Sequence, residues 1–437
     1  MNLGLKTCTK ANGCQFETKQ ATLDANWRWV HNTNGYTNCY TGNAWNSQFC
    51  PDPETCAKNC ALDGVPSSDW NAPYGVHTDG LTLTMDFVTQ GQYGKNVGAR
   101  TYMLDGEQYE MFDLLGREFT FTVDVSNMPC GVNGALYFVA MDKDGNKGNG
   151  NECGAEFGTG YCDAQCPHDI KFIDGQANCL DWNSSPTDPN SGTGKWGTCC
   201  PEMDIWEANK ISTAYTAHPC SVSTQHKCED PVSCGDNPDH RFDGVCDKDG
   251  CDLNPFRAGV KDFFGPGSSY TVDTTQPISV VTQFLTDESG DLTEIRRKFV
   301  QNGTVHDQPM TKVDTMGKQY DSLTDEMCGD IKTAFGDTNA FASRGGMKAM
   351  GDSMKNGMVL VMSIWDDHEA NMLWLDSTYP TDKTTWGGPR GTCPTTSGVP
   401  KDVESQHPNS SVKYGDIRIG EIGTTYTDLV TMNLDTE

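Results

Sequence analysis

Phe119-Thr-Phe-Thr-Val-Asp-Val125 alternates apolar and polar residues without a break. Successive side chains of an extended chain point to opposite faces, so the pattern describes a strand with one face in a core and the other lined by Thr and Asp. Ile278-Ser-Val-Val-Thr-Gln-Phe284 and Val412-Lys-Tyr-Gly-Asp-Ile-Arg-Ile419 carry a similar pattern far along the chain. Residues 135–141 and 358–365 are more continuously apolar, which predicts strands covered on both faces. Two packed sheets follow. Residues 294–300 and the Asn302-Gly303 pair after them predict a hairpin whose turn takes positive φ. Residues 325–335 and 346–354 read as short helices, and Gly and Asp interrupt both.

The rest of the composition agrees with an all-β chain. It has 437 residues with 46 Gly and 21 Pro, and no long helical period. A length of this size fits one large β domain, and with no repeat or low-complexity linker a single domain over 1–437 is the expectation. The 20 cysteines are spread along the chain, implying an oxidising compartment and a disulfide framework. The protein is therefore expected to be secreted and extracellular. Residues 1–10 lack the phases of a signal peptide and read as a mature terminus. No apolar run reaches the length of a membrane span. A net charge of −28 would repel nucleic acid and suits a neutral polymer as partner. Sequons at Asn183, Asn302 and Asn409 fit the secretory route. Residues 174–197 and 218–257 are polar loops with cysteine staples, and loops of that length in a compact domain are usually functional.

One further strand is chemically unusual. Glu202-Met-Asp-Ile-Trp-Glu207 places three carboxylates in six residues, directly after Cys199, Cys200 and Pro201. Crowded like charges are costly in a strand unless something uses them. Glycoside hydrolysis uses two carboxyl groups in one groove, one ionised and one protonated. A surface acidic strand and a calcium site are the bland alternatives, and the interleaved Met203, Ile205 and Trp206 argue against a calcium cage. Strand parity puts Glu202 and Asp204 on one face and Glu207 on the other, with the two glutamate Cα atoms roughly 16 Å apart. Partnership therefore demands a bulge or a sharp bend.

Tryptophans add a second pattern. Trp27 and Trp29, two apart, are expected to share a strand face, and Trp365 and Trp374 bracket Asp366-Asp367-His368-Glu369. Sugar rings stack on such faces; a single Trp more often fills a core, but flanking Asn26 and Arg28 argue against a wholly buried pair at Trp27 and Trp29. His218 is the histidine nearest in sequence to the carboxylate run.

Asp24-Ala-Asn-Trp-Arg-Trp29, Lys95-Asn-Val-Gly-Ala-Arg100, Gly134-Ala-Leu-Tyr-Phe138, Gly160-Tyr-Cys-Asp-Ala-Gln-Cys166, the carboxylate strand and Asn371-Met-Leu-Trp-Leu-Asp376 together resemble the cellulases of glycoside hydrolase family 7 over nearly the whole chain. The resemblance implies a concanavalin-like β-jelly roll of two curved antiparallel sheets, with disulfide-stapled loops roofing a substrate tunnel. It implies retaining hydrolysis of β-1,4-glucan by a cellobiohydrolase, with Glu202 as nucleophile, Glu207 as acid/base, Asp204 orienting Glu202, and His218 beside the acid/base. Trp27, Trp29, Trp365 and Trp374 fall on stacking positions, and Arg100 and Tyr161 lie within the matching segments as substrate-binding residues. Tyr137, Asp163, Gln165, Arg241, Asp249, Arg257 and Arg390 fall on positions that hold sugar hydroxyls or the departing disaccharide. No metal or organic cofactor is needed, because acid, nucleophile and water suffice. The partners implied are cellulose chains and cello-oligosaccharides, met by a monomer.

Family pairing joins Cys8 with Cys14, Cys39 with Cys60, Cys50 with Cys56, Cys130 with Cys393, Cys162 with Cys200, Cys166 with Cys199, Cys220 with Cys246, Cys228 with Cys234 and Cys251 with Cys328. Cys153 and Cys179 remain, and are expected to form a tenth pair. The alternatives are an endoglucanase of the same family and, from another class, a concanavalin-like binding protein without turnover, which would have no use for Glu207. Retention of the 220–257 segment with its staples favours the roofed form. Asn237 and Glu369, near where an aromatic pair meets across the roof, favour looser closure.

Overall fold

Two β layers face each other across the core, and the computed structural model describes residues 1–431 apart from positions 65, 93, 149 and 151. The strands that matter here are β1 (Asn2–Thr9), β2 (Gly13–Leu23), β3 (Thr82–Asp86), β4 (Ala99–Asp105), β5 (Arg117–Asp124), β6 (Val132–Val139), β7 (Glu202–Ala208), β8 (Thr213–His218), β9 (Cys251–Leu253), β10 (Ile278–Thr286), β11 (Leu292–Gln301), β12 (Met358–Asp366) and β13 (Ser411–Glu421). The front layer runs β2, β4, β12, β6, β7, β8, β9, each antiparallel to the next. The back layer runs β3, β13, β5, β10, β11, again antiparallel. β1 joins the two, antiparallel to β2 and parallel to β13. The expectation of wholly antiparallel sheets is corrected at that edge, where one parallel pair makes the curved sheet mixed.

β5, the strand first read from the sequence, shows why the layers adhere. Its Phe119 meets Phe138 edge to face at 5.0 Å between centroids, and its Phe121 meets Trp206 at 6.0 Å. Tyr414 on β13 donates its hydroxyl to the carbonyls of Ala135 and Ser363, each at 3.1 Å. Its polar face is covered too: Glu118 accepts from the amides of Gly423 and Thr425 at 3.0 Å, so the segment after β13 closes over it. Every residue of β6 and β7 is buried, as their apolar or crowded sequences require.

The hairpin forms as read, with Asn302 and Gly303 both at positive φ between β11 and Thr304–Asp307. Both helices form as well, α1 (Asp325–Phe335) and α2 (Gly346–Met354). Thr324 caps α1 by accepting from the Met327 amide. Nine disulfides match the family pairing. The expected tenth is corrected: Cys153 and Cys179 are not joined, and both are thiols, partly buried among Phe172, Trp45 and Trp182. No helix among the described residues is long and apolar enough to cross a membrane.

Candidate active site

Glu207 reaches the face of Glu202 because β7 contains one residue more than its neighbours can match. On β8, Asp204 stands opposite Thr216 and Glu207 opposite Ala214, so three steps face two. On β6, Met203 stands opposite Phe138 and Trp206 opposite Leu136, again three steps against two. Ile205 is the residue that both registers skip. A bulge of one residue reverses parity beyond it. Glu202, Asp204 and Glu207 therefore lie on the same face as His218, Thr216 and Ala214, while Trp206 turns into the core against Phe121 and Phe264.

The charges on this face divide. Side-chain atoms of Glu202, Asp204 and His218 all lie within 4.8 Å of one another. Burial, then Asp204 and Asp163, hold Glu202 well above the usual carboxylate range, and burial followed by Glu207 does the same to Asp204. Two buried carboxyls in hydrogen-bond contact hold one proton between them. The Ala164 amide donates to Glu202 Oε2 at 3.0 Å and opposes the rise there, favouring charge on Glu202. His218 stands behind Asp204, its Nε2 3.1 Å from Oδ2 and its Nδ1 2.8 Å from the Asp247 carbonyl. Glu207 is pushed up to about 7, chiefly by burial and further by Asp252. A carboxyl group with that midpoint is still partly protonated at neutrality.

The Asn133 amide opposes that shift, donating to Glu207 Oε1 at 3.0 Å and so favouring the ionised form. Replacing Asn133 by Ala removes the donor and raises Glu207 further. The alkaline limb of kcat is expected to move upward by about half a unit to one unit, the worth of one hydrogen bond. A pH profile of kcat checks it.

The loop at 161–166 presents the Ala164 amide, and the bonds Cys162–Cys200 and Cys166–Cys199 clamp it to the start of β7. Within that loop Tyr161 donates to Asp163 at 2.6 Å and exchanges a hydroxyl contact with Tyr137 at 2.8 Å. The Arg100 guanidinium lies 3.4 Å from the Tyr161 ring centroid and donates to Asp24 at 2.9 Å. By register, Arg100, Ser363, Ala135 and Glu207 share one face, as do Trp365 and Asn133. The Gln165 side chain donates to the Lys248 carbonyl at 2.7 Å.

Beyond Glu207 a basic and acidic group collects. Arg257 bonds Asp252 and also Asp337 at 2.6 Å, and Arg241 pairs with Asp249 at 2.6 Å. Arg390, half-buried beside Arg257, is pushed down to about 10, chiefly by desolvation. Trp365 and Trp374 stack at 6.2 Å, with Trp374 Nε1 donating to Asp367 at 2.9 Å.

The expected shared face of Trp27 and Trp29 is corrected. Trp27 ends a 3-10 turn (Ala25–Trp27), and the strand Trp29–Asn32 begins only afterwards. Trp27 donates to the Gly98 carbonyl at 3.0 Å near Arg100, whereas Trp29 stacks on His31 at 4.1 Å. Sequence reasoning missed Asn133 and Asp252. Asn133 was legible as the one amide inside an apolar strand, Asp252 as a charge between Cys251 and Leu253.

Glycosyl hydrolase family 7 is the family whose model matches, over residues 1–426. Among solved structures, the chain is similar to a family 7 cellobiohydrolase from Daphnia pulex, with 52% identity, 97% of each chain covered and a TM-score of 0.93. A cellobiohydrolase from Melanocarpus albomyces, complexed with cellotetraose, is 43% identical over 97% of each chain with a TM-score of 0.91. The Humicola insolens endocellulase EGI is 36% identical over 98% of each chain, with a TM-score of 0.82. The match takes in both β layers, the bulged strand and the loops that hold Ala164 and Arg257, and the chain belongs to glycosyl hydrolase family 7.

Proposed function

We propose that this protein is a retaining cellobiohydrolase that releases mainly cellobiose from β-1,4-glucan, working as a secreted monomer of one domain. The observation that carries the reading is the bulge in β7, which puts Glu202, Asp204 and Glu207 on one face, with Glu207 pushed up to about 7 by burial. Glu202 attacks the anomeric carbon while Glu207 gives its proton to the leaving oxygen. Water, deprotonated by Glu207, then breaks the glycosyl ester and regenerates Glu202. Asp204 holds the shared proton and keeps Glu202 oriented. Tyr137, Tyr161, Asp163 and Arg100 bind sugar on the donor side of Glu202. Arg241, Asp249, Arg257 and Arg390 hold the departing disaccharide, and the four tryptophans stack on rings.

Support for a roofed groove comes from two loops tied to one residue. His168 contacts the Gly194 carbonyl at 3.0 Å and Asp236 at 2.9 Å, and Arg344 donates to the Phe242 carbonyl at 2.7 Å. The better superposition on the two cellobiohydrolases supports the same choice. Exposed Glu369 and half-buried Asn237 are what favours the endoglucanase reading. Incubation with cellulose decides: mostly soluble cellobiose, first released as the β-anomer, is expected. Abundant new insoluble reducing ends would favour the endoglucanase, and an α-anomer would overturn retention.

A further inference from the structure

The bulge that makes the site is held from behind. Ile205 stands outside the register with both β6 and β8, where a bulge disrupts the ladder. A buried carbonyl left bare costs about as much as a lost hydrogen bond. Its partner is Arg297, whose Nη2 donates to the Ile205 oxygen from β11 in the back layer.

Arg297 is an odd residue to find there. It is 2% exposed, in the inward row of β11 with Ile295 and Phe299. No carboxylate pairs with it among the described residues, and its Nε has no hydrogen-bond partner. Its guanidinium lies 4.4 Å from the ring centroid of Tyr215, the β8 residue across from the bulge. Burial pushes it down to about 10, which marks the strain of keeping a cation there. An isolated buried guanidinium is expensive, and an apolar residue would fill the space at less cost. What an apolar residue would not do is hold the Ile205 carbonyl.

We propose that Arg297 is a positioning residue for the reaction, pinning the Ile205 carbonyl and with it the bulge that turns Glu207 onto the face of Glu202. The inference rests on the roles given above to those two glutamates. Arg297 touches neither of them. Its effect passes through backbone register alone, so it should fall on the step that needs a well-placed acid.

The test compares two aryl cellobiosides, one with a 2,4-dinitrophenolate leaving group that needs little protonation and one with a poorly acidic phenol. In Arg297→Met, which keeps the bulk of the stem and removes the donor, kcat for the poor leaving group is expected to fall about a hundredfold, the low end of what a positioned general acid supplies. Glycosylation by the dinitrophenyl substrate should change only a few-fold, and KM for either should stay near the wild-type value. Arg297→Lys keeps one donor but loses the planar fork and its stacking on Tyr215, so it should lose about tenfold in the same selective way. Folding is followed by circular dichroism and thermal melting. If Arg297→Met does not fold, Arg297→Lys carries the test. A folded variant with unchanged rates, or with equal losses on both substrates, overturns the inference while leaving the function standing. A wild-type protein that cleaves neither cellobioside overturns the function and this inference with it.

Discussion

Glu202→Gln is expected to lower turnover of cellulose and of every aryl cellobioside by on the order of 10⁴ or more, as removal of a catalytic nucleophile does elsewhere. The amide is nearly the size of the carboxylate, so Gln fits beside Asp204 and can still meet the Ala164 amide through its carbonyl oxygen. What it lacks is the negative charge that makes the oxygen a nucleophile toward the anomeric carbon. Binding should survive, because the aromatic and arginine contacts are untouched, and adsorption to cellulose should remain within a few-fold of wild type. Added azide should not restore a rate, since the Gln side chain still fills the space from which an outside anion would attack the anomeric carbon. The comparison is made by product release on one side and by depletion from solution on the other. Normal turnover in this variant would remove Glu202 from its role.

Glu207→Gln separates the two halves of the reaction. With a poor leaving group, loss of the proton donor should cost 10²- to 10⁴-fold in kcat, on the order expected for a positioned acid. With a dinitrophenolate, glycosylation should be nearly unaffected and the glycosyl-enzyme should accumulate, because no base activates water. Azide, which needs no base, should then restore turnover and yield the β-glycosyl azide. The pH dependence follows with a fixed sign. In the proposed role Glu207 acts as its protonated form, and burial holds its midpoint at about 7, so wild-type kcat on a poor leaving group is expected to decline above pH 7. Glu207→Gln should lose that alkaline limb. A variant that keeps both the limb and the wild-type response to leaving group would show that another residue is the acid.

The parts of this molecule that were legible in sequence are those fixed locally. Alternation in β5, the Asn302-Gly303 turn and the helix over 325–335 are decided by neighbours in the chain, and each formed where it was read. The site was legible in composition but not in geometry. Strand parity alone sends Glu207 to the wrong face, and nothing about Ile205, one apolar residue among several, says that it is the surplus one. That is settled by register with β6 and β8, the latter reached only after the chain reverses at 209–212. Arg297 hides for a similar reason: in Arg296-Arg297-Lys298 it reads as surface charge until the pleat of β11 turns its side chain inward. The Trp27 and Trp29 pairing failed because a 3-10 turn breaks the period that the argument assumed. Cys153 and Cys179 were matched only because the other eighteen cysteines had partners, and a remainder is not a geometry.

The surplus residue in β7 gives the motif an unusual tolerance. Side chains at positions 203, 205 and 206 answer to core volume, and volume-conserving exchange among them is survivable. Length is not. Remove one residue between Asp204 and Glu207 and the ladders on both sides could close without a fault, giving a more regular strand whose last glutamate faces an apolar interior. Add one and Glu207 again leaves the face of Glu202. In this enzyme a stretch of chain that would take many substitutions takes no insertion or deletion, so its active site is written as a number of residues before it is written as their names.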